Sequence, residues 1–97
     1  MKRLFRREVP DDLAQTHRWY EERQAGLGRD FLDAFEAVLS AIEENPRLFP
    51  LVHREIRRAR ITRFPYGVFY RLIEDEAFLV LAVIHLSRDP ARWKERG

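Results

Sequence analysis

The chain has no cysteine among its 97 residues, which excludes a disulfide framework and any zinc site built on thiolates. Histidine is scarce too: His17, His53 and His85 stand far apart, without the close spacing that metal ligation asks for, and no metal or other cofactor is expected. The basic N-terminal stretch of residues 1–13 is not followed by an apolar run of signal-peptide length. The longest apolar stretch, Ala77 to Ile84, is far too short to span a bilayer. A soluble protein that stays in the cytoplasm, with no membrane partner, is the expectation. Repeats and low-complexity segments are absent. Lysine is nearly so, since 16 of the 18 basic residues are arginine.

What is present suffices for one domain, residues 1–97. Hydrophobic residues make up 45% and aromatics 12% of the chain, and each buried aromatic removes roughly 150–250 Å² from water. The net charge of +2 hides a division along the sequence. Residues 10–45 carry nine acidic side chains against three arginines, a net of −6, whereas the rest carries fifteen basic against seven acidic, a net of +8. Genome composition accounts for arginine over lysine but not for the segregation. A separated basic surface suits nucleic acid or an acidic partner.

Residues 3–9 read as a short strand with Leu4 as its apolar anchor. Pro10 suits a first helical position, and Asp11 and Asp12 favour the positive end of the helix dipole. That helix runs to about Arg23, and Gly26 and Gly28 separate it from the next. Leu27, Phe31, Phe35, Val38, Leu39 and Ile42 form one stripe at helical spacing, ended by Pro46. A hairpin of two helices over about 10–45 cannot hide both stripes by itself and needs a flat surface beneath it. Three strands supply it: Glu55–Arg63, Val68–Ile73 and Phe78–His85, with Phe64-Pro65-Tyr66-Gly67 and Glu74-Asp75-Glu76 as turns. The last strand is apolar on both faces and belongs in the centre of the sheet. Asp89–Glu95 closes the chain as a short helix. The fold class is therefore α+β: an N-terminal strand and a helical hairpin packed on a mainly antiparallel sheet, which a C-terminal meander of three strands completes.

Several local patterns sharpen this outline. They are Trp19-Tyr20-Glu21; Gly26-Leu27-Gly28 with Phe31-Leu32; Asn45-Pro46 and Phe49-Pro50; Arg57-Arg58; Arg63-Phe64-Pro65-Tyr66 leading to Tyr70; Val83-Ile84-His85; and Arg88-Asp89-Pro90 with Trp93. In this order and spacing the chain resembles the ParE/RelE superfamily of toxins over essentially its whole length, and the ParE branch more than the RelE branch. The resemblance implies the toxin of a type II toxin–antitoxin module, of the kind that stabilises plasmids, held inactive by a cognate antitoxin. It leaves the target open. ParE-like members inhibit DNA gyrase, and RelE-like members cut messenger RNA in the ribosome; one fold serves both.

Metal-free RNA cleavage needs a base for the 2′-hydroxyl, an acid for the leaving oxygen and cations for the developing charge. RelE-like toxins are implied to use sheet cations, an arginine after the turn tyrosine, another at the end of the last strand, and a C-terminal tyrosine. Here Arg58, Arg60 and Arg63 match the sheet cations, but the other positions hold Gly67, Leu86 and Trp93. Arginine is a poor base, which leaves His85 as the candidate proton carrier. Gyrase inhibition needs only a binding surface and is the preferred expectation. A ribosome-dependent nuclease and a degenerate, antitoxin-binding member remain as alternatives. Candidate contacts for target or antitoxin are Arg57, Arg58, Arg60, Arg63, Arg88 and Trp93. Arg57, Arg58, Arg60 and Arg63 fit equally a charged edge strand guarded against aggregation, and Trp93 reads first as a lid on the core and second as a contact. His17, Tyr66 and Tyr70 read as packing residues. An antitoxin segment, disordered alone, is expected to wrap the groove between hairpin and sheet.

Overall fold

The computed structural model describes residues 1–97. In chain order the elements are β1 (Lys2–Phe5), α1 (Val9–Arg23), α2 (Leu27–Glu44), β2 (Leu51–His53), β3 (Ile56–Arg60), β4 (Tyr66–Ile73), β5 (Ala77–His85) and α3 (Ala91–Lys94). One sheet has the order β1-β5-β4-β3-β2. It is antiparallel except for the parallel pair β1 and β5. The α+β architecture expected from sequence is the one observed; β5 is internal, between β1 and β4, and the central strand is β4.

The hairpin covers one face of the sheet. The α2 stripe buries Phe31, Phe35, Val38, Leu39 and Ile42 against Val68, Tyr70, Phe78, Val80 and Val83 of β4 and β5. A second apolar cluster lies on the opposite face, where Trp93 of α3 stacks on Phe69 with ring centroids 4.6 Å apart. Trp93 is thus the lid of a second, smaller core that also holds Ile56, Leu81 and Ile84.

Close approach of the two helices depends on Gly28, where an added Cβ would sit 2.8 Å from the His17 carbonyl oxygen. The turn between them is fastened by Glu21, whose carboxylate accepts hydrogen bonds from the backbone N–H of Gly26 (2.9 Å) and Gly28 (3.0 Å). These bonds hold the Glu21 carboxyl below its ordinary value. A depressed carboxylate stabilises the fold above its unfolded pKa, about 4.3 for glutamate, and that stability disappears as pH falls through the lower folded value. Glu21→Gln is therefore expected to flatten the acid limb of stability between pH 5 and 3 in thermal melts. An unchanged acid limb would contradict the role given to Glu21.

Several boundaries differ from expectation. The first strand ends at Phe5, because Arg6 N–H makes the last bond to Val80 (2.9 Å) and Val9 already begins α1, fully buried. Leu4 is 40% exposed and anchors nothing. Arg3 holds the strand instead, paired with Glu43 (2.9 Å) and Glu36 (2.6 Å) of α2. Residues 51–53, His53 among them, are not loop but a fifth strand on the flank of β3. β3 is consequently flanked on both sides from Ile56 to Arg58, while Arg60 lies beyond the reach of β2 and keeps an open edge. The strand expected to reach Arg63 stops at Arg60. In the turn that follows, the left-handed residue is Arg63 (φ 74°), while Gly67 lies inside β4 with Tyr66.

The pairing of β4 with β5 skips one residue. Phe69 faces Ala82 and Tyr70 faces Val80, so Leu81 is bulged. The bulge turns Leu81 and Ala82 to the same face, and both join the Trp93 cluster. Nearby backbone groups of β5 find side-chain partners. Arg96 Nη1 donates to the Leu81 carbonyl (3.2 Å), and Val83 N–H donates to Asp12 Oδ2 (3.0 Å). Asp12 and Arg96 pair with each other at 2.6 Å, each side chain at most 14% exposed. This arrangement ties the first turn of α1, the bulge and the C-terminal segment together.

Candidate functional site

Two surfaces gather the residues that sequence singles out. The first is the sheet face opposite the hairpin. Alternation along β3 places Ile56, Arg58 and Arg60 on that face, since their partners Phe69 and Gly67 of β4 lie there. Arg71, two residues beyond Phe69, shares the face and was missed by sequence reasoning. The period-two rule applied to β4 would have found it. Arg58, Arg60, Arg63 and Arg71 have no carboxylate within 4.0 Å, unlike Arg3, Arg29, Arg47 and Arg96. The Arg58 Nε is buried and has no hydrogen-bond partner.

Arg57 points the other way. Its guanidinium donates to the carbonyls of Arg47 (3.1 Å) and Phe49 (2.7 Å), fixing the linker after α2. Tyr70 pins the same linker by donating to the Pro46 carbonyl at 2.7 Å, and burial pushes its phenol up to about 12. It is a packing residue. Arg63 sits in the β3–β4 turn over the Phe64 ring, its guanidinium 5.8 Å from the centroid.

At the position following the turn tyrosine, an added Cβ at Gly67 would meet Leu86 Cδ2 at 3.0 Å and Arg58 Cγ and Phe69 Cε2 at 3.2 Å. These side chains roof the glycine. Two positions where the nuclease branch is implied to carry arginines are thus an apolar contact here.

The second surface is a cleft of about 400 Å³ between α1 and the end of β5, lined by Trp19, Tyr66, His85, Arg88 and Arg92 among others. The core places it: Tyr20 and Phe31 stack at 5.8 Å, and both meet Tyr66 edge-on at 6.0 and 5.3 Å. Tyr66 in turn meets the His85 ring at 5.2 Å. Trp93 does not reach this cleft, being 7% exposed beneath α3. His17 lies away from it, on the outer side of the hairpin.

The protonation of His85 follows from its neighbours. The backbone N–H of Ser87 donates to His85 Nδ1 at 3.0 Å, and the Ser87 hydroxyl lies 2.8 Å from the same atom. A backbone amide can only donate, so Nδ1 is unprotonated and the ring proton resides on Nε2. In this state Nε2 is a donor. No other titratable group bonds to His85, so no relay for a proton is in place.

His53, now in β2, has its pKa lowered by burial first and then by Lys94 and Arg54. No three His, Asp or Glu side chains cluster as a metal would require. No helix is long and apolar enough to cross a membrane.

A family profile described as ParE toxin of type II toxin-antitoxin system, parDE, matches residues 4–90. The chain belongs to the ParE toxin family. Among solved structures, the chromosomal ParDE TA system from P. aeruginosa superposes with a TM-score of 0.65 at 14% identity, covering 90% of this chain and 97% of that one. At that identity the likeness concerns the fold. No curated protein matches the chain. As a ParE-family member the protein is the toxin of a type II toxin–antitoxin system, and its partner is an antitoxin.

Proposed function

We propose that this toxin acts by binding and arresting DNA gyrase, without catalysis of its own, and that its antitoxin neutralises it by covering the arginine face of the sheet. Membership of the ParE rather than the RelE branch supports this reading, and the apolar contact of Leu86 over Gly67 carries it. His85 bonds only to Ser87 and to no second titratable group, and Gly67 and Leu86 fill the place of two cations with carbon. Binding needs neither. The unpaired Arg58, Arg60 and Arg71 offer a surface that an acidic partner can neutralise. An antitoxin segment disordered in isolation would gain ordered contacts along this face and the adjoining groove.

In a purified supercoiling assay, the toxin is expected to inhibit gyrase at stoichiometric to moderate excess, and added antitoxin to restore activity. Full supercoiling at a large molar excess of folded toxin would reject the gyrase reading. Cleavage of translated messenger RNA on induction, with supercoiling intact, would select the nuclease alternative. Absence of any growth defect would select a degenerate antitoxin-binding member.

A further inference from the structure

The cleft between α1 and the end of β5 is not needed for the reading above, yet its lining is chemically one-sided. Its cations, Arg88 and Arg92, have no carboxylate within 4.0 Å. Its one acid, Asp12, is already satisfied by Arg96 and by Val83 N–H. With Ser87 N–H bonded to its Nδ1, His85 offers its Nε2–H to a guest. Gln15 and the Tyr66 hydroxyl are among the neutral polar groups of its lining. The cleft therefore offers donors and positive charge with no free anion to repel a negatively charged guest.

Its walls are aromatic. Trp19, Tyr20, Tyr66 and His85 follow one another with successive ring centroids 5.0, 6.0 and 5.2 Å apart. Trp19 remains 46% exposed, although the Arg23 guanidinium covers one of its faces at 3.3 Å. An aromatic run beside unpaired arginines is the pairing by which proteins hold nucleotides, with the rings stacking the base and the cations taking the phosphate. The size fits as well, since about 400 Å³ lies within the range of small-ligand pockets and would enclose one nucleotide unit.

We propose that this cleft binds a nucleoside monophosphate, with the base against Trp19 and Tyr66 and the phosphate on Arg88, Arg92 and the His85 Nε2–H. The proposal is one of binding alone, since His85 has no second titratable group bonded to it with which to relay a proton. The guest is either a free nucleotide or one unit of a single strand, which present the same chemistry.

The test uses the isolated full-length toxin, so it is independent of gyrase. Trp19 is the exposed one of the two tryptophans, and Trp93 is buried, which makes indole fluorescence a local readout. Adenosine monophosphate, adenosine, inorganic phosphate and a short single-stranded oligonucleotide would each be titrated by fluorescence and calorimetry. The monophosphate is expected to bind with a Kd below about 1 mM, with adenosine and phosphate alone each at least about tenfold weaker. Arg88→Gln with Arg92→Gln is expected to weaken binding about tenfold or more with an unchanged melting temperature, since both side chains are exposed and unpaired. Trp19→Ala, read by calorimetry, is expected to weaken it comparably. Tighter binding of the oligonucleotide than of the monophosphate would assign the guest to a strand, and the reverse to a free nucleotide. The proposal is overturned by no signal from either up to about 10 mM, by phosphate binding as well as the monophosphate, or by full affinity in the doubly substituted protein.

Discussion

Asp12→Ala is expected to destabilise the toxin by about 3–5 kcal/mol, the cost of stranding one member of a buried ion pair. Asp12 and Arg96 are 10% and 14% exposed, and the carboxylate also receives Val83 N–H. Alanine would leave the Arg96 guanidinium with only the Leu81 carbonyl, at 3.2 Å, from its present partners on α1 and β5. It would also leave the Val83 amide without the acceptor it has now. A domain of this size has roughly 5–15 kcal/mol in total, so the variant loses a large share. The melting temperature should drop by on the order of 15–30 °C. Asp12→Asn keeps an acceptor for Val83 and is expected to fall between the two. Combining Asp12→Ala with Arg96→Leu removes the stranded charge and is expected to regain part of the loss. A double variant less stable than Asp12→Ala alone would show that the pair does not act as a unit.

Reversing Arg58 and Arg60 together, each to glutamate, is expected to abolish growth arrest on induction. In the supercoiling assay the concentration for half-inhibition would rise on the order of 100-fold, about 1.4 kcal/mol for each reversed charge. Neither side chain has an ion-pair partner to lose, but Arg58 is part-buried over Gly67 whereas Arg60 is exposed, so any cost to the fold falls on position 58. A melting temperature within a few degrees of wild type is the control, and lysine at both positions is expected to recover most of the activity. Wild-type inhibition by the charge-reversed protein, or inhibition lost only together with folding, would remove the cationic face from the mechanism.

The helical hairpin was legible because α2 repeats its apolar residues with the helical period from Leu27 to Ile42, and β5 because it is apolar on both faces. The features that escaped have no local signature. β2 is three residues long, follows Pro50 and is irregular in register between Leu51 and His53, so alternation has no room to show itself. The bulge at Leu81 is a slip of one residue in pairing, set by the partner strand. Asp12 and Arg96 are 84 residues apart, and nothing in either neighbourhood announces the other. The turn before β4 misled because glycine is the usual bearer of a positive φ. Gly67 is needed instead for the side chains lying over it, and Arg63 bears the left-handed backbone. At the candidate sites, the arginines of β3 stood out in the sequence, and the strand's period of two puts Arg58 and Arg60 on one face. The aromatic cleft did not, because Trp19, Tyr66 and His85 come from three elements that meet only after packing. The fate of His85 depended on Ser87, two residues on, accepted as a partner only once the chain bends there.

The hairpin carries most of the acid on one side of the molecule, and the unpaired arginines lie on the sheet face turned away from it. Such a particle has a head and a tail. In dilute buffer, copies are expected to line up tail to head, and because that contact joins two different surfaces it leaves both ends open for further addition. Scattering from the free toxin should therefore grow with concentration at low ionic strength. It should collapse to that of single molecules near 0.15 M salt, where screening acts within about 8 Å.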